Sequence, residues 1–276
     1  MDFNIPEDLE SVKQLAAQIL SDFTAVEQLR LLEQQAEPFD ATLWQALAEA
    51  GLLGVDIEEA QGGTGLGFYA LTSLCEEVGR TVAAVPVVPV LVSAAGTLRR
   101  FAGDEQKEQL LPAIANGSLL VSAGLEEYNN DNPTKPSCAA RSVEGGFALS
   151  GTKIGVSQAA RASRILVSAT TGEELVVALV DPNAAGVTLS PQVVTSGETR
   201  HEIKLSEVQV PTEDIVAVGG KALEAMEWAQ QATRTALSAM AVGVCDKMMR
   251  ITGQYTSERE QFGRAIATFQ AVSHRV

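Results

Sequence analysis

Apolar residues recur at helical spacing through the first 120 positions of the chain. Leu9, Val12, Ala16, Ile19 and Phe23 follow one another at steps of three and four, which lines them up on one face of a helix with 3.6 residues per turn. Pro6, Glu7 and Asp8 suit the start of that helix: proline presets φ, and the carboxylates lie at the positive end of the helix dipole. Asp40 is placed to cap a second helix holding Leu43, Trp44 and Leu47 and ending at Gly51. The pattern predicts further helices from Phe68 to Val78, closed by Gly79, and from Val90 to Phe101, ended by Gly103. A last short one runs through Leu111, capped by Asp104, with Asn116-Gly117 as a turn.

The period changes near Leu119. "FALSG", "RILVSAT", "ELVVALVD", "GVTLS" and "EIKLSEVQV" are short runs rich in Val, Ile and Leu, punctuated by Gly, Pro, Asn or Asp. Evenly spaced strands of this length predict a small antiparallel sandwich or barrel. No long helix separates them, which argues against a parallel doubly wound sheet. After Gly219-Gly220 the helical period returns. Met226, Ala229, Thr233, Leu237, Met240, Val244, Met248, Ile251 and Tyr255 form one stripe; Ala232, Ala236, Ala239 and Gly243 form a second, small-residue face. Two buried faces predict a helix packed on both sides, as inside a bundle. The expected fold is therefore multidomain α+β: a helical domain over 1–120, a small antiparallel β-barrel or sandwich over 121–218, and the start of a helix bundle over 219–276.

Composition narrows the function. The 276 residues are 46% hydrophobic, enough for a sizeable core. The longest apolar run, Val82 to Ala95, is interrupted by Pro86 and Pro89 and falls short of the ~18 residues that a membrane helix needs. The acidic opening "MDFNIPEDLE" is unlike a secretory or organelle-targeting segment, so a cytoplasmic protein is expected. Net charge is -15, with thirteen Asp and Glu in residues 1–60 against Lys13 and Arg30 alone. Such a surface repels a phosphate backbone, which argues against nucleic-acid binding. Cys75, Cys138 and Cys245 are odd in number and far apart, fitting reduced thiols rather than a disulfide frame or zinc site. His201 and His274 are distant from each other, so no metal site is expected, and no G-x-S-x-G elbow points to a nucleophilic serine.

Three stretches carry possible chemistry. "QGGTGLG" (Gln61 to Gly67) lacks both the Lys-Ser/Thr of a phosphate loop and dinucleotide-binding glycine spacing, and reads as a tight interhelix turn. Arg234 lies mid-helix in an otherwise apolar segment, where a snorkelling surface arginine is the simple reading. In the closing stretch, Arg259 and Arg264 are planar forks suited to oxyanions, Phe262 offers a stacking face and Gln270 an amide that donates and accepts. Solvated charge around a helix–helix turn is the alternative.

Taken together, element order and motifs resemble the acyl-CoA dehydrogenase family. "EEAQGGTGLGFYALTSLCEEVGRTVAAVP" and "FAGDEQKEQLLPAIANGS" resemble its helical N-terminal domain, and "TRHEIKLSEVQVPTEDIV" the end of its middle β domain. "YTSEREQFGRAIATFQAVSHRV" is similar to its signature R-x-x-F-G-x-x-I-x-x-x-Q helices. The resemblance covers essentially the whole chain. It implies a C-terminal four-helix bundle of which this chain supplies the first helix and the start of the second. An apolar stripe still running through Ile266, Phe269 and Val272 at the last residue leads to the expectation of a truncated sequence.

The resemblance also implies FAD-dependent removal of the Cα and Cβ hydrogens of an acyl-CoA thioester. A glutamate acts as base, and electrons leave to an electron-transferring flavoprotein. FAD is shared in homo- or hetero-oligomers, dimers or tetramers, one subunit holding the ring and its neighbour the pyrophosphate. Arg259, Phe262 and Gln270 fall on the neighbour-contacting motif, and Arg234 on an arginine supporting substrate. At the first flavin-facing loop, where the family reads near T-E-P-x-A-G-S-D, this chain has "LEEYNNDNP": Glu126 replaces the Thr, Glu127 remains and the G-S-D portion is gone. At the second, near W-I-T-N, it has "GVSQ": Gly155 replaces the tryptophan, and Ser157 keeps a hydroxyl. Loss of an aromatic forfeits contact with a flavin face. No catalytic glutamate is visible: one family variant carries it where this chain has Thr233, and the commoner position lies beyond Val276. Two readings follow: a dehydrogenase subunit, or a non-catalytic or half-site partner in a heteromer, for example one acting on steroid side-chain thioesters. A third is a binding relative without flavin.

Overall fold

The computed structural model describes residues 6–275; the opening Met1–Ile5 and the terminal Val276, on which part of the sequence reading falls, lie outside them. Six α-helices come first: α1 (Glu7–Phe23), α2 (Val26–Glu33), α3 (Ala41–Glu49), α4 (Phe68–Thr81), α5 (Gly96–Phe101) and α6 (Asp104–Ala115). Asp40 caps α3 as expected, its Oδ1 accepting from the Leu43 amide at 2.9 Å. α2 has no buried residue, which explains why no apolar stripe announced it. α6 is capped by Gly103 instead of Asp104: the Gln106 side chain accepts from the Gly103 amide at 3.1 Å. It also runs past Pro112 to Ala115, because Leu110, Leu111, Ile114 and Ala115 are all buried. A π-helical turn, Val88–Ala95, leads without a break into α5.

Eight strands follow: β1 (Val121–Gly124), β2 (Ala139–Val143), β3 (Gly146–Ser157), β4 (Arg164–Thr170), β5 (Leu175–Val180), β6 (Val187–Gln192), β7 (Arg200–Pro211) and β8 (Ile215–Val218). Their order is β6-β7-β3-β2-β4-β5-β8, with β1 beside β4. The end strands β6 and β8 do not pair, so the sandwich form is realised and the closed barrel is not. Pairing is also mixed, since β1 and β2 run parallel to β4. Alternation along β5 explains its unbroken apolar sequence. Leu175, Val177 and Leu179 face the helical core, whereas Val176, Ala178 and Val180 face a separate β core with Leu149, Ile203 and Val208. A strand covered on both sides has no polar face to show.

The chain then enters α7 (Gly220–Glu258), 39 residues starting from Gly219 in a left-handed conformation (φ 63°). The small-residue face predicted from sequence is the packed one. Ala232, Ala236 and Gly243 are buried, and the helix crosses α4 backbone to backbone. A Cβ at Gly79 would overlap the Met240 carbonyl, and one at Gly243 would overlap the Glu76 carbonyl. Gly79 therefore does not end α4, which continues to Thr81; it lets α7 in. Arg80 locks the same crossing, bonding Glu76, Glu77 and, across the interface, Asp246. Lys13 of α1 reaches Glu76 at 2.9 Å. The predicted stripe from Met226 to Tyr255 is buried only at Met226 and Ala229; Leu237, Met248, Ile251 and Tyr255 are exposed, so in its distal half α7 is packed on one side only.

Overpacked cores lose about 1–3 kcal/mol, so Gly243→Ala is expected to destabilise the chain by at least that much, read as a lower urea midpoint. The same exchange at exposed Gly172, which has open space around it but a left-handed φ, is expected to cost less.

Candidate functional site

The first region lies at one end of the β domain, where the loop between β1 and β2 meets β3. Glu126 forms an isolated bridge with Ile154, whose amide donates to the Glu126 carbonyl at 2.9 Å. Glu127 turns inward. Its carboxylate accepts from the amides of Ser137 and Cys138 at 2.6 and 3.0 Å, closing the loop, and from the Lys153 ammonium at 2.8 Å. Lys153 is fully buried and also reaches Ser168 Oγ at 3.3 Å. Burial alone would raise the Glu127 pKa; the Lys153 ammonium and the two amides outweigh it and hold the carboxyl below its ordinary range. Burial pushes the Cys138 thiol up to about 11 and Cys75 to about 12, leaving neither as a thiolate nucleophile.

Two residues beyond Lys153 the β3–β7 ladder is irregular. Gly155 sits in this bulge with φ 64°. Its amide donates to Gln192 Oε1 and its carbonyl accepts from Arg200 Nη1, each at 2.8 Å. The nearest atom to a Cβ added at Gly155 would be Glu126 Oε2, at 3.5 Å. Ser157 is buried opposite Arg200, and its carbonyl accepts from the Ser122 hydroxyl. An isoalloxazine laid against this loop would meet a carboxylate where the resemblance implies an aromatic face.

The second region is on α7. Thr233 is half-buried, and its hydroxyl lies 2.8 Å from Ser93 Oγ in the π-helical turn. No carboxylate stands at this position, and a hydroxyl with a pKa far above neutrality does not remove an α-proton unaided. Arg234 is exposed and, among the described residues, forms no ion pair.

The third region is the end of α7. Arg259 terminates the helix, its amide donating to Tyr255 and its carbonyl accepting from Ile266, each at 2.8 Å. A small hairpin follows, β9 (Glu260–Gln261) and β10 (Arg264–Ala265). Its two-residue turn, Phe262-Gly263, is left-handed at both positions (φ 54° and 77°), the geometry that matches strand twist. Phe262 is 94% exposed and lies edge-on to Phe269 at 6.1 Å; Arg264 stacks over Phe269 at 4.1 Å. Gln270, also exposed, opens α8 (Gln270–Ser273). Neither Arg259 nor Arg264 has an ionic partner among the described residues. The structure thus gathers Arg259, Phe262 and Gln270 at one end of the molecule. Arg234 is 25 residues earlier, roughly 37 Å along the helix axis, and Ser157 is in the β domain.

Sequence reasoning missed Lys153, Ser93, Gln192 and Arg200. Only Lys153 left a signal, a lone cation inside the otherwise uncharged strand "FALSGTKIGVS". His201 is buried with its Nε2 3.5 Å from Glu37 Oε1, and among the described residues no serine bonds to it.

Removing one partner of a buried ion pair costs about 3–5 kcal/mol, and Lys153→Met is expected to fall in that range by chemical denaturation. A folded pKa held below the unfolded value of ~4.3 contributes stability above that value and loses it as pH falls through the folded one. The acid limb of the stability profile should therefore flatten in Glu127→Gln.

Two family models match the chain: acyl-CoA dehydrogenase, N-terminal domain, over residues 6–118, and acyl-CoA dehydrogenase, C-terminal domain, over residues 221–276. Acyl-CoA dehydrogenase FadE27 of Mycobacterium tuberculosis is 28% identical across 100% of this chain and 72% of its own. FadE28 of the same organism is 32% identical across 83% of this chain and 64% of its own. Among solved structures, a variant of the Tcur3481-Tcur3483 steroid ACAD superposes with a TM-score of 0.90 at 40% identity, over 98% of this chain and 72% of that one. A chain of the ChsE4-ChsE5 complex from Mycobacterium tuberculosis superposes with a TM-score of 0.92 at 28% identity, over 100% and 73%.

Proposed function

Because this chain belongs to the acyl-CoA dehydrogenase family, we propose that it serves as a half-site or non-catalytic partner subunit of a heteromeric acyl-CoA dehydrogenase. The observation that carries this reading is the outward-facing hairpin at Arg259 and Phe262. α7 begins against β5 and β8 and carries that hairpin roughly 58 Å along its axis from its own start. Its two guanidiniums lack ionic partners among the described residues, and its aromatic tip is bare. Such an arm suits a cofactor held mainly by another subunit.

The likeness to chains of two-component complexes supports the same reading, and a steroid-linked acyl-CoA thioester is the substrate class it favours. In this proposal the domains are 1–120, 121–218 and 219–276, the assembly is cytoplasmic, and electrons pass on to an electron-transferring flavoprotein. No helix among the described residues is long and apolar enough to cross a membrane.

The residues at the hairpin fit the phosphate side of FAD. Arg259 and Arg264 can present N–H forks to a pyrophosphate, Phe262 a face for stacking, and Gln270 an amide to a carbonyl or hydroxyl. The bound flavin would supply hydride acceptance. This chain would position its pyrophosphate end, while Arg234 would stand near the substrate. Thr233, tied to Ser93, offers a hydroxyl and no carboxylate, so in this proposal proton abstraction does not fall to that position.

Each charge-assisted hydrogen bond lost costs about 1.5–3 kcal/mol, so Arg259→Ala in the assembled oligomer is expected to weaken FAD binding roughly tenfold or more. Equilibrium dialysis followed at the flavin absorbance band measures it. Purified alone, the chain should carry little yellow cofactor. A homo-oligomer that holds one tight FAD per chain and oxidises acyl-CoA would overturn the partner reading.

A further inference from the structure

The bulge at Gly155 is held shut by the chain's own side chains. A backbone bulge beside a flavin ring ordinarily serves by offering an N–H to the ring's oxygen and nitrogen acceptors, because hydrogen bonds and charge near those atoms set where a flavin sits and how it titrates. Here the Gly155 N–H is already used by Gln192 Oε1 at 2.8 Å, and the Gly155 carbonyl by Arg200 at 2.8 Å. These bonds come from adjacent strands in register: Gln192 pairs with Arg200, and Arg200 with Ser157. The clamp is thus built into the β6–β7–β3 ladder and is not a loop accident.

The Glu126 carboxylate borders the same position, its Oε2 3.5 Å from where a Cβ at 155 would stand. Tyr128, two residues on, is bonded to Glu202 of β7, which ties this loop down on the same strand as the clamp. A ring placed there would find no free donor from Gly155 and a negative charge beside it. Reduction would worsen the fit, since a flavin hydroquinone readily carries its own negative charge.

We propose that this loop is a closed ring site: Gln192, Arg200 and Glu126 together exclude an isoalloxazine from the β domain of this chain. This deepens the partner-subunit reading and rests on it. Its consequence is that an assembly with a second kind of chain carries fewer flavin rings than polypeptides.

Riboflavin tests this directly. It has the ring but neither pyrophosphate nor adenosine, so its binding is independent of Arg259. Titrated with the wild-type chain, its fluorescence should stay unquenched. The double variant Glu126→Thr/Gln192→Ala removes the charge and frees the Gly155 amide. It should bind riboflavin at least roughly tenfold more tightly than wild type, the worth of one regained hydrogen bond, with its fold checked by circular dichroism. Stoichiometric quenching by the wild-type chain overturns the proposal. So does a folded double variant that leaves riboflavin unquenched, since those side chains would then not be what closes the loop. The FAD content of the Arg259→Ala oligomer tests the partner reading itself and can fail separately.

Discussion

The rest of the molecule depends on the contact in which α4 and α7 touch through their backbones. Gly79 and Gly243 remove the side chains that would hold the helices apart, and Arg80 then bridges to Asp246 at close range. Interhelical distances are set by the side chains at the crossing, so two glycines bring the axes nearer than Leu or Ala would allow. Everything α7 carries inherits its position from that crossing. Toward its start this covers the packing of Trp228 over Gly96 and the hydroxyl contact of Thr233 with Ser93; toward its end it covers the aim of the terminal hairpin. A rigid rod pinned near its middle is a good way to hold a small binding element far from the body of a domain.

The two ends of the cofactor problem are treated differently in this chain. In the β domain, buried charge is spent on order. Lys153 and Glu127 are desolvated together, and the carboxylate fastens both the loop's entry and its exit through the Ser137 and Cys138 amides. Such a pair contributes little net stability over an apolar pair but penalises any arrangement that separates its members. At the hairpin, charge is left in water and unpaired among the described residues. Order there comes from a left-handed two-residue turn and from aromatic and cation–π contacts among Phe262, Arg264 and Phe269. One region is fixed before any ligand arrives; the other keeps its guanidiniums available.

Much of the fold was legible because periodicity reports burial directly. The helix–strand–helix order, the cap at Asp40 and the long last helix all followed from spacing. The errors share a cause: one residue type serves two purposes. Gly79 looked like a stop and is a close approach. The helix expected through Leu111 continues past Pro112 to Ala115, carried by four buried neighbours. The apolar stripe of α7 looked buried on two sides, but Met248, Ile251 and Tyr255 face solvent. Strand direction was not legible, since parallel pairing of β1 with β4 depends on where the chain returns in space. In the candidate site, the closing arginine motif is local and was visible at once. The Lys153–Glu127 and Ser93–Thr233 contacts join residues 26 and 140 positions apart, and no local pattern encodes them.

The π-helical turn at Val88–Ala95 has a consequence for how this chain compares with its relatives. Such a turn holds one residue more than an α-helix over the same rise. Removing one residue from it would leave a regular helix of the same length, because the shortened turn still closes once around the axis, and the positions beyond it would keep their faces. The backbone at Gly96 would stay under the Trp228 ring, and the change would be confined to the turn itself, where Ser93 meets Thr233. A one-codon deletion here would be silent in helix content and length and would leave most of what meets α7 in place. Relatives that lack the turn should show a one-residue gap in mid-helix, far from any loop.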